Sequence, residues 1–205
     1  MVLTFKDYLE YKWVLDEQLI SRQGPAARID MNPVPRGRDW RLVSYFSNDS
    51  LPKEILCFCS FSLDTNPMRG LIYESLKEKK FITFGKIFKE WELHRAVVDN
   101  ESFLRFLKRS KFCISPQGKG ADCFRTWDAL YEKSIPIVQP KNCPVLGRYR
   151  DLPILYVDDY SEVTEDLLTN EYKRMLDTEY DFSKLFLPYW TPKVPHDKLT
   201  QYLTL

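Results

Sequence analysis

The residues with the clearest chemical potential lie in one short stretch of the chain. Gly118 and Gly120 flank Lys119, and Arg125 and Asp128 follow three residues apart. A lysine attracts phosphate oxygens as a point charge, and an arginine can bind two of them through its planar fork. Glycines let the backbone approach an anion closely, and a carboxylate one helical turn after the arginine could accept hydrogen bonds from ribose hydroxyls. The set indicates a nucleoside diphosphate site, although a plain turn with solvated charges explains the same residues equally well.

The flanking sequence predicts a strand, a loop, a helix and a second strand around these residues. Residues 112–114 are an apolar run typical of a buried strand, and Ser115 begins a loop whose proline and glycines cannot continue it. Asp122 is expected to cap a helix running to about Glu132, followed by a buried strand at Ile135–Val138. Such a unit belongs to a parallel sheet with a right-handed crossover. The free N–H groups of the first helical turn then suit an anion.

A second strand-to-helix junction is predicted earlier in the chain. Residues 55–61 are interpreted as the first buried strand, and Pro67 is expected to open a helix that runs to about residue 80. Loops at the carboxyl ends of parallel strands gather at one edge of the sheet. The loop residues that could line the same pocket are Asp64, Thr65, Asn66 and Arg69. Helix capping explains Asp64 and Asn66 equally well.

The order of these residues resembles the C-terminal half of the exostosin-like glycosyltransferases. The central block carries the resemblance: Ser-Lys-Phe-Cys at 110–113, a proline and two glycines, Phe-Arg at 124–125, an acidic-Ala-Leu triplet at 128–130 and Ile-Pro-Ile-Val at 135–138. The resemblance continues over 151–163 and, more weakly, reaches back to 61–69. Asp128 stands where the family usually has a glutamate.

The resemblance implies a GT-B enzyme, in which two Rossmann-like domains face a cleft. Such an enzyme transfers a sugar from a nucleotide-sugar, here a UDP-sugar, to a glycan or glycoprotein acceptor, with no metal and no cofactor besides the donor. Arg125 would stabilise the diphosphate leaving group, Asp128 would hold the ribose, and the nucleobase would lie against Gln139. Together with the two predicted junctions, this gives a set of candidate donor contacts: Ser115, Gln117, Gly118, Lys119, Gly120, Asp122, Arg125, Asp128, Thr65, Asn66, Arg69 and Gln139.

Chain length limits this interpretation. A chain of 205 residues is one domain or one and a half. We divide it into an N-terminal helix and Pro/Arg-containing loop, residues 1–50, and a Rossmann-like nucleotide-sugar-binding domain, residues 51–205. The acceptor side could be missing, reduced to the N-terminal segment, or supplied by another chain or domain. A non-catalytic module for a nucleotide-sugar or phosphorylated ligand, or one half of a two-chain transferase, is therefore the alternative.

We predict that this chain binds the donor but contains no general base that matches the family pattern. The carboxylates that could border the predicted cleft are Asp30, Asp39 and Asp64. The catalytic candidates are Arg125 and Asp64, the latter because its loop borders the cleft. We predict that none of the three is the base, and that the acceptor site is borrowed, rebuilt or absent.

Composition argues against several other classes of protein. The net charge of +1 gives no electrostatic case for nucleic acid. No Cys-x-x-Cys pair occurs among the five cysteines, and the two histidines are far apart, so we expect reduced thiols and no zinc site. Gly118-Lys119-Gly120 lacks the Ser or Thr that a Walker loop requires after its lysine. No apolar run approaches the ~20 residues of a membrane span, and no signal-like segment is present, so we expect a soluble, cytoplasmic chain.

The fold class predicted from these elements is α/β. We expect a Rossmann-like, mostly parallel sheet of five or six strands with helices on both faces, of the GT-B C-terminal type. A first helix is expected over residues 5–20, capped by Thr4 or Asp7, whereas residues 85–99 give no clear pattern. The expected core residues are Ile55, Phe58, Phe61, Phe112, Ile114, Leu130, Ile137 and Val157.

Overall fold

The structure is a computed structural model that describes residues 1–12, 51–88, 100–118, 123–140, 149–185 and 189. In chain order its elements are β1 (Val2–Thr4), α1 (Phe5–Glu10), β2 (Ile55–Ser62), α2 (Met68–Leu76), β3 (Ile82–Phe88), α3 (Asn100–Arg109), β4 (Ser110–Ile114), α4 (Phe124–Tyr131), β5 (Ile135–Val138), β6 (Leu155–Tyr156), α5 (Glu165–Leu176) and β7 (Glu179–Asp181), with 3-10 helices at Tyr160–Glu162 and Phe182–Leu185.

Five strands form one parallel sheet in the order β3-β2-β4-β5-β6. From β2 the chain moves outward to β3, and then crosses back over β2 to β4. The direction of winding therefore reverses between β2 and β4, which makes that gap the topological switch point of the sheet. The predicted parallel sheet is confirmed.

Helices cover both faces of this sheet. Phe58 in β2 stacks on Phe106 of α3, with ring centroids 5.2 Å apart. Phe112 in β4, which is paired in register with Cys57, packs edge-on against Tyr172 of α5 at 5.9 Å. Successive residues of a strand point to opposite faces, and paired residues of neighbouring strands point to the same face. The helices α3 and α5 therefore lie on opposite sides, which is the predicted Rossmann-like arrangement.

The core contains nearly all the residues expected there. Ile55 is the exception, because it is the first residue of β2 and is partly exposed at the rim of the sheet. The other seven predicted core residues are buried. Cys57, Cys59 and Cys113 are buried free thiols, as predicted, and burial raises the pKa of Cys57 and Cys113. Cys143 lies outside the described residues.

Strand β3 continues beyond the point where the sequence pattern fades. Residues from Gly85 onward gave no clear pattern, yet β3 runs on to Phe88. The pairing register with β2 shifts by one residue at this point, which marks a β-bulge. The hydroxyl of Ser60 donates a 2.8 Å hydrogen bond to the carbonyl of Lys86 inside the bulge. Glycine is common at such bulges, and its presence obscured the strand in the sequence.

Gly85 also gives the first testable prediction. A Cβ at this position would lie 2.7 Å from Cζ of Phe58, a ring that is 1% exposed. We expect Gly85→Ala to lower the free energy of unfolding by about 1–3 kcal/mol through overpacking. Gly70 in α2 is the matched control, because a Cβ there meets none of the described atoms within 4 Å. Gly70→Ala should raise stability by about 0.5–1 kcal/mol. Denaturant unfolding measures both, and a Gly85→Ala variant as stable as wild type would contradict the prediction.

The first residues of the chain form a small strand and a short helix. Strand β1 pairs antiparallel with β7. Thr4 caps α1 as predicted, since its Oγ1 accepts a 3.1 Å hydrogen bond from the amide of Asp7. The helix expected over residues 5–20 ends at Glu10, because Tyr11 has extended backbone angles, φ −62 and ψ 131. Residues 13–20 lie outside the described part of the chain.

Helix α1 packs directly on the sheet domain. The ring of Tyr8 is fully buried and stacks on Phe182 with centroids 3.9 Å apart. Its hydroxyl donates a 2.8 Å hydrogen bond to the carbonyl of Leu130 in α4. Lys133 Nζ donates to the carbonyl of Leu9 at 2.7 Å. The described N-terminal residues are therefore part of one packed body with the sheet.

A buried charge cluster lies at the amino edge of the sheet, just before β2, β4 and β5. Glu132 is 3% exposed, and its Oε2 lies 3.7 Å from Nζ of Lys108. Lys53 Nζ donates a 2.8 Å hydrogen bond to the carbonyl of Glu132. Burial raises the pKa of Glu132 to about 7, against the opposing charges of Lys108, Lys53 and Lys133. Burial also lowers the pKa of Lys53 to about 7.

These shifts predict a pH dependence of stability. Between pH 4.5 and about 7 the folded protein holds a proton on Glu132 that the unfolded chain releases, so this group's stabilising contribution falls as pH rises through that window. Glutamine does not titrate, so the Glu132→Gln variant lacks this loss. The unfolding free energy of the variant minus that of wild type should therefore rise between pH 4.5 and about 7. Glu54→Gln is the control, because Glu54 is about half exposed in its ion pair with Arg109. A difference for Glu132→Gln that stays flat with pH would contradict the prediction.

None of the helices in the described part of the chain has the length and apolar composition needed to span a bilayer.

Candidate functional site

The loops after β2 and β4 meet at the switch point of the sheet. We call the space between residues 62–67, residues 115–118 and the start of α4 the switch-point crevice. Both loops leave the carboxyl ends of adjacent parallel strands, so the fold brings them together although they are some fifty residues apart in sequence. Ligands of α/β proteins with this topology bind at this position.

Arg69 spans the crevice from α2. It is 4% exposed, and its Nε donates to the carbonyl of Gln117 at 2.9 Å. One terminal nitrogen donates to the carbonyl of Ser62 and to the hydroxyl of Thr65, and the other donates to the carbonyl of Pro116. Burial, and then the charge of Arg125, lower the pKa of Arg69 to about 10, so the side chain is cationic at neutral pH. Most of its donors are committed to the two loops.

Asn66 and Gly118 complete this link between the loops. Asn66 Nδ2 donates a 3.1 Å hydrogen bond to the carbonyl of Gly118, and its Oδ1 accepts from the amide of Met68 at 3.0 Å. Asn66 thus supports the start of α2 and also contacts the predicted site. A Cβ at Gly118 would lie 3.2 Å from a terminal nitrogen of Arg69. The glycine therefore allows close approach of the loop to Arg69, a role that the sequence did not reveal.

Arg125 lies in the first turn of α4 and faces the same aromatic ring as Arg69. Its Cζ is 5.8 Å from the ring centroid of Phe61, and Cζ of Arg69 is 5.5 Å from it. The Nε of Arg125 is buried and has no hydrogen-bond acceptor among the described residues. The same holds, within that part of the chain, for the buried hydroxyl of Ser62. The crevice therefore contains two positive charges and unused hydrogen-bond donors.

Ser115 faces the start of α4 and makes local contacts there. Its Oγ lies 2.8 Å from Oγ1 of Thr126 and 3.2 Å from Sγ of Cys123. Cys123 occupies the N-cap position of α4 without a side-chain cap, so the expected cap at Asp122 is wrong by one position. Sequence reasoning missed Cys123 and Thr126 because their partner Ser115 lies on another element.

The remaining predicted site residues are spread around the crevice. Asp128 is 2% exposed, one turn after Arg125 in α4, and its contact with a ribose stays a prediction. Gln139 follows β5 and donates to the carbonyl of Asp158, so it links the ends of β5 and β6. Asp64 is exposed in the loop after β2. Lys119, Gly120 and Asp122 lie outside the described residues.

Acidic and metal-binding side chains do not gather in the described part of the chain: it has no group of three or more His, Cys, Asp or Glu residues that could hold a metal ion. Asp159 accepts a 2.7 Å hydrogen bond from the amide of Ser161. It caps the 3-10 helix that follows.

Residues 46–191 match the family model described as the RXYLT1 C-terminal domain. The chain belongs to this family. The RXYLT1 C-terminal domain is an exostosin-like glycosyltransferase family, so the resemblance inferred from the central block is confirmed. A search of the curated proteins found no match. The matched range contains both loops of the switch-point crevice and reaches well beyond the central block on either side.

Proposed function

We propose that this chain binds the diphosphate of a nucleotide-sugar donor in the switch-point crevice and supports transfer of the sugar to a glycan acceptor. Family membership supports glycosyl transfer as the class of reaction. The observation that carries the donor site is the unused Nε donor of Arg125, placed beside the charge of Arg69 over Phe61.

The chemistry of glycosyl transfer suits this arrangement. When the bond between the sugar and the diphosphate breaks, negative charge grows on the terminal phosphate oxygens. A guanidinium aimed at that charge stabilises the transition state more than the ground state. Arg125 is the proposed ligand of the leaving group, and Arg69 adds positive potential from a fixed position. In this proposal arginine charge takes the place of a metal, and the donor is a UDP-sugar with its ribose near Asp128 and its base near Gln139.

Calorimetry with UDP, GDP and UMP tests the donor site. We expect UDP to bind at least about tenfold more tightly than UMP, because the terminal phosphate adds a charge-assisted hydrogen bond worth about 1.5–3 kcal/mol. Weaker binding of GDP would support a uracil base. Equal affinities for UDP and UMP would refute the diphosphate assignment.

The acceptor side is proposed to come from another domain or chain. Asp64 is the only one of the three candidate bases that lies in the described residues, and Asp30 and Asp39 lie outside them. We expect the single variants Asp30→Asn, Asp39→Asn and Asp64→Asn to keep transfer within a few-fold of wild type, measured beside UDP affinity. Loss of transfer by several orders of magnitude in one of them, with affinity unchanged, would place the base in this chain.

A non-catalytic binding module is the second candidate. Its support is that the described crevice offers arginine donors to a diphosphate, whereas its one candidate base, Asp64, is an exposed residue of the loop after β2. Transfer and donor-hydrolysis assays on the 205-residue chain separate the two candidates. The second candidate would be supported if the chain binds UDP but shows neither transfer nor donor hydrolysis, even after the domain or chain that provides the acceptor side is added.

A further inference from the structure

Three consecutive carbonyls of the loop after β4 are tied to the start of α2. Arg69 binds the carbonyls of Pro116 and Gln117, each at 2.9 Å, and Asn66 binds the carbonyl of Gly118 at 3.1 Å. These three hydrogen bonds fix the orientation of the peptide planes in the loop.

The fixed carbonyls also fix the amides. The described peptide bonds are all trans, so the N–H of each residue points away from the carbonyl of the residue before it. Because the carbonyls of Pro116 and Gln117 point at Arg69, the amides of Gln117 and Gly118 point to the opposite side of the loop. Neither amide has an acceptor among the described residues. Successive backbone amides directed to one side form a common kind of anion site.

The guanidinium of Arg69 is poorly placed to bind a ligand itself. Four of its five N–H groups can be assigned to Gln117, Ser62, Thr65 and Pro116. The planar fork is what allows one side chain to hold carbonyls of both loops. A lysine at this position keeps the charge but cannot reproduce that geometry.

We propose that Arg69 is a positioning residue, which holds the loop after β4 so that the amides of Gln117 and Gly118 face the phosphates of the donor. This inference rests on the proposed function. It replaces the expectation that Arg69 contacts the phosphates directly. Arg125, with its unused Nε donor, then acts as the direct ligand.

Conservative substitutions separate the two roles. Lysine is an effective phosphate ligand as a point charge, so Arg125→Lys should keep UDP affinity within about fivefold of wild type. Arg69→Lys should lower UDP affinity by at least about tenfold, nearly as much as Arg69→Ala, because neither variant can hold both loops. Arg109→Lys is the matched control, since Arg109 pairs with Glu54 at the opposite edge of the sheet. It should bind UDP as wild type does.

Hydrogen exchange of the nucleotide-free protein gives a second readout. Arg69→Lys should speed the exchange of the loop amide of Ser115, which donates a 2.9 Å hydrogen bond to the carbonyl of Ile137, while the amides within β4 and β5 keep their protection. Asn66→Ser is the substitute test variant if Arg69→Lys does not fold. It keeps an acceptor for the amide of Met68, loses the bond to Gly118, and should weaken UDP binding about threefold.

The outcomes distinguish failure of the proposed donor site from failure of the positioning role of Arg69. If wild type does not bind UDP, the proposed function fails and the inference fails with it. If wild type binds UDP, but Arg69→Lys binds equally well or Asn66→Ser leaves loop exchange unchanged, the positioning role alone is overturned. Loss of affinity in Arg69→Lys with faster exchange confined to the loop supports the inference.

Discussion

Replacing Arg125 with alanine is expected to remove nearly all sugar transfer and to weaken UDP binding by about 10- to 100-fold. The affinity loss corresponds to one or two charge-assisted hydrogen bonds of about 1.5 kcal/mol or more. The loss in transfer should be larger, about 100- to 1000-fold, because the phosphate charge grows in the transition state. Calorimetry with UDP and a transfer assay at saturating donor measure the two effects separately.

The Arg125 experiment has a matched control at the other edge of the sheet. Arg109 is a partly exposed arginine paired with Glu54, so Arg109→Ala should leave both affinity and transfer unchanged. Stability should change little in Arg125→Ala, because the Nε of Arg125 has no acceptor in the described residues to leave unsatisfied. A normal transfer rate in Arg125→Ala, with the variant folded, would remove Arg125 from the proposed mechanism.

Replacing Tyr8 with alanine is expected to lower the free energy of unfolding by about 3–5 kcal/mol. The ring is completely buried, stacks on Phe182 and packs beneath α4, so its removal leaves a large cavity. Chemical denaturation with the slope held in common measures the change. A loss of this size would show that the packing of Tyr8 stabilises the whole sheet domain, although Tyr8 lies far from the sheet in sequence.

Tyr8→Phe is the matched control for the cavity. It keeps the ring and loses only the hydrogen bond to the carbonyl of Leu130, a carbonyl that also accepts from the amide of Lys133 at 3.1 Å. A loss of about 1 kcal/mol is expected. If Tyr8→Ala unfolds with the stability of wild type, the first helix is independent of the sheet. The proposed domain boundary at residue 51 would then be supported.

Local patterns were sufficient to predict the framework of the site. Buried strands at Ile135–Val138 and in residues 55–61 are apolar runs bounded by turn residues, and such runs are visible in sequence. The rule that parallel strands share a carboxyl edge then brings both loops to one place. Strand order depends on contacts between distant residues, so the switch point itself could not be predicted.

The role of Arg69 shows where sequence reasoning stopped. Its carbonyl partners lie 47 and 48 residues further along the chain. A sequence shows the charge of an arginine, but not whether neighbouring backbone groups already occupy its donors. The same limit applies to Ser115, whose hydroxyl is engaged by Thr126 on a helix that begins nine residues later.

Two local errors have local causes. In the sequence, Gly85 suggests the end of a strand. In the structure it lies in a β-bulge, where the ring of Phe58 is too close to leave room for any side chain. Tyr8 and Tyr11 are spaced as helical neighbours, yet Tyr11 has already left the helix and stacks on Tyr8 at 6.2 Å. Spacing alone could not separate a continuing helix from an aromatic contact after its end.

The pairing of β1 with β7 has a consequence during synthesis on the ribosome. Val2 is in register with Asp181, and the ring of Tyr8 needs Phe182 beside it. At about 5–20 residues per second, translation takes roughly 10–35 s to cover the distance between these partners. During that interval Phe5 and Tyr8 lack the C-terminal partners that bury them in the folded domain.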